Sequence, residues 1–102
     1  MHHDRVQVEP QKPKKGDRVE VKYKGLLKDC GASQVYCHCG YDGWQKTQTI
    51  PMNKVEDGTF TCQIPAERKK EINLCFKDSA DNWDDNSGWN WNCEISGRGL
   101  LF

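Results

Sequence analysis

The chain has 102 residues, a length that suits one domain with a modest hydrophobic core. Its 15 basic and 15 acidic residues balance to a formal net charge of zero. This balance argues against nucleic acid and anionic membranes as partners, since both attract basic patches. No apolar run approaches the roughly 20 residues that span a bilayer, and no apolar signal region is present near the start.

Three regions differ in composition along the chain. Residues 1–17 are polar and contain two prolines and a basic run, so we expect a flexible leader there. We predict that residues 18–97 form the folded domain. Residues 98–102 are predicted to be a C-terminal tail.

Apolar and polar residues alternate at several places after residue 17, which is the period of a half-buried β-strand. Turn residues separate these segments, and no stretch combines a helical period with caps. Residues 25–32 are predicted to be a connection, as is the charged segment 65–71. Six or seven short strands therefore predict an all-β fold, an antiparallel β-sandwich. The predicted strands are 19–23, 35–41, 47–52, 60–64, 72–77 and 91–95.

Six cysteines in a secreted chain of this length would indicate a disulfide framework. Most of them lie within apolar strand patterns, where a free cysteine behaves as a small hydrophobic residue. Cys37 and Cys39 are two apart on one strand, a spacing with poor disulfide geometry. We therefore expect mostly free thiols, which favours a reducing, cytoplasmic setting.

The segment 77–92 contains three of the four tryptophans, separated by Asp, Asn, Ser and Gly. A loop this polar cannot bury three indoles by its own packing, so at least one ring should be exposed. We expect Trp83 to be exposed and Trp89 and Trp91 to lie in the core. An aromatic face edged with amides and carboxylates suits a sugar, because the ring stacks on the pyranose while the polar groups bond its hydroxyls.

The order of motifs resembles the starch-binding modules of carbohydrate-binding module family 25 and the similar family 53. A Val-Tyr-x-His-x-Gly-Tyr strand is followed by Trp44, then by Ile-Pro-Met and Gly-Thr-Phe-Thr-x-x-Ile-Pro. The most specific motif is Phe-Lys-Asp-Ser-Ala-Asp-Asn-Trp-Asp-Asp-Asn-Ser-Gly at 76–88. The resemblance runs from Val19 to Ile95.

The resemblance implies an immunoglobulin-like β-sandwich that binds α-1,4-glucans such as starch, glycogen and maltooligosaccharides, without catalysis or cofactor. It also implies a place within, or association with, a glucan-active enzyme, and we expect a monomer. A histidine and two tryptophans form the sugar platform of such modules. Carried over by motif, these are His38, Trp44 and Trp83, with Asp81 and Asn86 placed to bond hydroxyls.

This chain departs from the family pattern in two respects. The family often has Asn-Tyr after the last glycine, where this chain has Trp89-Asn90-Trp91, which leaves the role of Trp89 open. The family also seldom has cysteine at the positions that this chain uses.

The residue chemistry points to the same platform. If Cys37 and Cys39 face the core, His38 faces outward, close to the turn that leads to Trp44. A ring nitrogen of His38 can then bond a glucose hydroxyl while Trp44 stacks on the sugar. Two rings set at an angle would fit a curved α-1,4 chain, whereas a flat β-1,4 chain needs coplanar rings.

The same residues are compatible with other functions to different degrees. Zinc at Cys37-His38-Cys39 is disfavoured, because His38 points away from both thiols and zinc sites use wider spacings. Calcium in the loop 78–86 is disfavoured because Trp83 occupies a ligand position, so we expect no metal. An immunoglobulin-like module that binds proteins would share the fold and differ only at the site. An enzyme is disfavoured, because no pair of carboxylates spans a cleft and no Gly-x-Ser-x-Gly motif is present.

Overall fold

A computed structural model describes residues 5–66 and 70–96. In these ranges the chain forms short strands and one helical turn, α1 (Leu26–Asp29). The strands are β1 (Val6–Glu9), β2 (Arg18–Tyr23), β3 (Val35–Tyr41), β4 (Gln45–Pro51), β5 (Asn53–Lys54), β6 (Phe60–Pro65), β7 (Glu71–Asp78), β8 (Trp83–Asp84) and β9 (Trp91–Glu94).

The strands form two sheets. The first has the order β1-β2-β6-β5, and the second has the order β4-β3-β7-β8, with β9 also paired to β7. Every strand pairing is antiparallel. The predicted immunoglobulin-like antiparallel β-sandwich is confirmed. In the described part of the chain, no helix has the length and apolar character needed to cross a bilayer.

The core lies between the sheets and follows the alternation of the sequence. Inward positions of β2 and β3, such as Val19, Val21 and Cys37, are fully buried, while their sequence neighbours are partly or fully exposed. Strand β7 differs, because Asn73 and Cys75 on its outward face are buried as well. The outward face of the second sheet is therefore covered at these two positions.

The expectation of a flexible leader over residues 1–17 is wrong for β1. Val6 and Val8 are buried, and β1 pairs with β2 from Val6 to Glu9. Val6 and Val8 alternate as in a strand. Among charged residues and prolines, two valines are too few to predict a strand. Lys14 also forms a parallel bridge with Ser96. The tail 98–102 and the middle of the connection 65–71 lie outside the described residues.

Two connections also differ from prediction. The connection 25–32 contains the one-turn helix α1, which is too short for a helical period to be visible in the sequence. The single strand predicted at 47–52 is instead β4 in the second sheet followed by β5 in the first. The chain changes sheets at Met52, which is buried and donates its N–H to the Val35 carbonyl (2.9 Å).

A buried polar contact joins the two sheets. Tyr23 on β2 donates its hydroxyl to Asp84 Oδ2 on β8 (2.6 Å) and accepts the Leu27 N–H (3.0 Å). The Tyr23 ring also stacks on Phe76 of β7, with centroids 4.2 Å apart. Gly25 closes the contact, because a Cβ there would lie 2.7 Å from Asp84 Oδ2. Burial, together with the hydrogen bond to Asp84, raises the pKa of Tyr23 well above its usual value.

Replacing Tyr23 by Phe should lower the free energy of unfolding by about 1–3 kcal/mol, because buried Asp84 and the Leu27 N–H each lose a partner. The loss should be largest near neutral pH. Above the ordinary tyrosine pKa of about 10, unfolded wild type loses a proton that folded Tyr23 retains, so wild-type stability falls as pH rises. Urea unfolding at pH 7 and above pH 10 measures both effects. An equal loss at the two pH values would contradict the pH dependence.

Candidate functional site

The outward face of the second sheet carries the predicted histidine. His38 on β3 lies opposite Thr49 on β4 and opposite Cys75 on β7. Its Nδ1 lies 2.9 Å from Thr49 Oγ1, which fixes the plane of the imidazole. As predicted, Cys37 and Cys39 point into the core on the other face of β3.

Trp44 is held over this face by a tight turn after β3. Its backbone has a positive φ of 70°, an unusual conformation for a residue with a side chain. The N–H groups of Gly43 and Trp44 both donate to Asn73 Oδ1, at 2.9 and 2.8 Å. Gly40 allows the approach, because a Cβ there would lie 3.0 Å from the Trp44 Cα.

Asn73 is the buried support of this turn. While Oδ1 accepts from the turn, Nδ2 donates to Glu71 Oε1 and to Asn92 Oδ1, both at 2.8 Å. Its amide therefore makes four hydrogen bonds, the capacity of that group. Asn73 thus fixes the backbone of Trp44 relative to β7 and β9.

Trp83 is placed by the strand that contains it. In β8, Trp83 lies opposite Lys77 and Asp84 lies opposite Phe76. Successive side chains of a strand point to opposite faces, so the inward Asp84 directs Trp83 outward. Its indole is 48% exposed.

The loop before β8 is pre-organised by Asp78. Its carboxylate accepts the N–H groups of Ala80 and Asn82 at 2.9 Å, and also the Asn82 side-chain amide. The hydrogen bonds from Asn82 hold the pKa of Asp78 below its usual value. The carboxylate thus shapes the loop that leads to Trp83.

The three aromatic side chains meet in one hollow. The rings of His38 and Trp44 have centroids 5.7 Å apart and planes inclined by 16°. Those of His38 and Trp83 are 5.6 Å apart with planes at 88°. The two indoles are therefore steeply inclined to one another. The hollow has a volume of about 350 Å³ and is lined by His38, Trp44, Thr47, Cys75, Trp83, Asp85 and Asn90.

Four of these lining residues were missed in the sequence. Asp85 and Asn90 lie in the tryptophan loop, where nothing in the pattern separates them from the other polar residues. The alternation of the predicted strand 72–77 puts Cys75 on the outward face, whereas its position opposite His38 depends on the register between β3 and β7. Burial, followed by the nearby charges of Asp85 and Asp84, raises the pKa of Cys75 to about 11. The thiol is therefore neutral at physiological pH.

Asp81 and Asn86 are not among the residues that line the hollow. Asp81 is exposed, and its Oδ1 accepts a hydrogen bond from Lys77 Nζ (2.7 Å). The same Lys77 Nζ lies 5.5 Å from the Tyr36 ring centroid and 5.8 Å from that of Trp83. Asn86 donates its side-chain amide to the Asn90 carbonyl (3.0 Å).

The remaining expectations concern the other indoles and the thiols. Trp91 is 4% exposed, and its predicted place in the core is confirmed. The same expectation for Trp89 is wrong, since its side chain is 80% exposed on the β8–β9 loop. All six cysteines are free thiols, as expected for most of them. The described ranges contain no group of three or more His, Cys, Asp or Glu residues arranged to hold a metal.

Comparison with known proteins identifies a family and a relative that resemble this chain. The family model described as starch/carbohydrate-binding module (family 53) matches residues 19–96. A protein of Clostridium acetobutylicum named alpha-amylase is 34% identical over 89 residues. That match covers 86% of this chain but 11% of the relative, so the chain spans a small part of the relative's length.

Replacing Asn73 by Ala should lower the free energy of unfolding by about 1–3 kcal/mol, because the N–H groups of Gly43 and Trp44 lose their acceptor. The turn should loosen, and the stacking of Trp44 on His38 should be lost. Chemical denaturation and the near-ultraviolet circular dichroism of the indoles measure these effects. Asn92→Ala is the matched control, because it removes one bond to Asn73 and leaves the turn intact. Equal spectral changes in both variants would contradict the role given to Asn73.

Proposed function

The chain belongs to family 53 of the starch/carbohydrate-binding modules, and we propose that its aromatic hollow binds α-1,4-glucans. Membership implies a binding module without catalysis. The specific ligands are starch, glycogen and the maltooligosaccharides derived from them. The bond to the sugar is non-covalent, formed by stacking and hydrogen bonding.

The steep inclination of the two indoles is the observation that carries the proposal. Trp44 lies nearly parallel to His38, and Trp83 stands almost perpendicular to it. Consecutive residues of an α-1,4-glucan turn relative to one another, so rings at an angle can stack on successive pyranoses. A flat β-1,4 chain would stack on one indole and collide with or miss the other.

Hydrogen bonds would set the orientation of the sugar in the hollow. The contact between His38 Nδ1 and Thr49 leaves Nε2 as the ring nitrogen that we assign to a glucose hydroxyl. Asp85 and Asn90 offer further acceptors and donors from the wall of the hollow. A larger cavity of about 670 Å³, lined by Asp42, Lys70, Glu71, Glu94 and Ile95, has no aromatic residue among these and is a weaker candidate.

Asp81 and Asn86 enter the proposal in a changed form. Since Asp81 bonds Lys77, and Lys77 lies against Trp83, we assign Asp81 to holding that indole as well as to hydroxyl contacts at its edge. Asn86 bonds the carbonyl of Asn90, so its first effect is on the shape of the wall. Asn86 is therefore a positioning residue in this scheme, and Asp81 both positions Trp83 and contacts the sugar.

The proposed biological role follows from the relative. The similar segment in the Clostridium protein belongs to a far longer chain named alpha-amylase. We propose that the present module likewise keeps a glucan-active enzyme close to its polysaccharide, and that the module acts as a monomer. A few stacked rings must offset the cost of ordering the ligand, so the dissociation constant should be on the order of micromolar to millimolar.

A fluorescence titration with maltoheptaose tests the proposal directly. Wild type should show a saturable change in tryptophan emission, and cellohexaose should give none. Trp83→Ala and Trp44→Ala should each weaken binding by about tenfold or more, since each removes a ring that stacks on the ligand. His38→Ala should weaken it by a smaller factor, through loss of one hydrogen bond.

Val55→Ala provides a control, because Val55 is exposed on the turn between β5 and β6 of the other sheet. Its affinity for maltoheptaose should equal that of wild type. A folded wild type that responds to neither sugar would exclude the glucan proposal and favour a protein-binding module of the same fold. Equal binding of both sugars would contradict the argument from ring inclination.

Replacing Lys77 by Met should weaken binding by about 2- to 5-fold, because the methionine retains apolar contact but loses the cation–π interaction that holds Trp83. Lys54→Met is the matched control. Lys54 lies 5.9 Å from the ring centroid of Phe60 in the first sheet, so the same type of contact is lost away from the hollow. Isothermal titration with maltoheptaose compares the two variants, and an equal effect in both would contradict the role of Lys77.

A further inference from the structure

Trp89 is the most exposed of the large hydrophobic side chains in the described ranges, at 80%. It lies between Gly88 and Asn90, in a loop of polar and small residues. A ligand that covers this indole removes apolar surface from water, which is favourable.

The loop that carries Trp89 is held by its own hydrogen bonds. The Asp85 side chain accepts the Gly88 N–H (3.0 Å), and the Asp85 carbonyl accepts the Asn90 N–H (2.6 Å). Trp89 donates its own N–H to the Asn86 carbonyl (3.1 Å). These bonds span the loop on both sides of Trp89, so its backbone is fixed before any ligand arrives. A loop whose backbone is already ordered loses less entropy on binding than a mobile one.

The same loop forms part of the wall of the aromatic hollow. Asp85 and Asn90 both line it, and Asn90 is the residue next to Trp89. Trp89 itself is not among the residues that line the hollow. Because consecutive Cα atoms are about 3.8 Å apart, its backbone adjoins the wall while its ring lies outside the hollow.

We infer that Trp89 is a further stacking ring for the part of an α-glucan that extends beyond the hollow. The inference rests on the proposed function and adds a second contact for the same chain. The polar neighbours of Trp89 favour a sugar, since amides and carboxylates at the edge of an indole can bond hydroxyls while the ring covers an apolar pyranose face. The buried core of a protein interface is more apolar than this loop, where the residues beside Trp89 are Gly88 and Asn90.

The test is a series of titrations in which the length of the ligand changes. Maltotriose, maltopentaose, maltoheptaose and longer maltooligosaccharides are titrated into wild type and into Trp89→Ala by calorimetry. Wild type should bind long ligands more tightly than short ones, in part because only long ligands reach Trp89. In Trp89→Ala, the ratio of the dissociation constants for maltotriose and the longest ligand should fall by about 3- to 10-fold, as expected for one lost stacking contact. Trp89→Tyr should restore most of that ratio.

An unchanged ratio in Trp89→Ala would overturn the inference, and the separate affinities then show the reason. Unchanged affinity at every length would leave Trp89 without a contact to soluble glucan, and weaker binding to insoluble starch alone would assign it to a second glucan chain. An equal loss of affinity at every length would place Trp89 within the structure of the hollow. Failure of wild type to bind any ligand would instead refute the proposed function, and the inference with it.

Discussion

The contact between the Asp84 carboxylate and the Tyr23 hydroxyl determines where the site can form. Asp84 is buried, so it must have hydrogen-bond partners, and these come from Tyr23, the Leu26 N–H and the Asn86 N–H. Because β8 is only two residues long, fixing Asp84 inward also fixes Trp83 outward. The contact thus couples the packing of the first sheet to the orientation of an indole on the far face of the second. Without this contact, a strand of two residues would make few interactions to fix the direction of Trp83.

A second buried side chain serves the other indole in the same manner. Asn73 holds the turn that carries Trp44, and it is itself held by Glu71 on its own strand and by Asn92 on the neighbouring strand β9. Both indoles are therefore positioned by a buried polar side chain beneath the outward face of the second sheet. Replacing either side chain by an apolar one would leave buried hydrogen-bond donors or acceptors unpaired. His38, on the central part of β3, needs less support because its strand is paired on both sides. The turn of Trp44 and the strand of Trp83 are thus held by buried hydrogen bonds, so the proposed recognition of a repetitive polymer uses rings that the fold itself places.

Sequence and structure agree best where the signal is local and periodic. The strands at Val35–Tyr41 and Phe60–Pro65 follow from alternation, and the outward direction of His38 follows from the inward direction of Cys37 and Cys39. The aromatic residues of the platform were identified from their motifs, and the fold brings all three together. Agreement ends where the decisive contact joins residues far apart in the chain. Strand β1 has two valines, which are too few to predict a strand. It forms because it pairs with β2. Trp89 and Trp91 have similar sequence surroundings, yet one is exposed and the other lies in the core.

The sequence by itself therefore determined the β-sandwich class, the family and the three aromatic residues of the candidate site, because alternation and motif order are properties of neighbouring residues. Only the tertiary structure decided the inclination of the indoles, the place of Cys75, Asp85 and Asn90 in the wall of the hollow, and the supporting roles of Asn73 and Asp84. The physical reason is that each of these depends on a hydrogen bond or a packing contact between strands that are distant in sequence. Such contacts require the register of the sheets, which no local pattern contains.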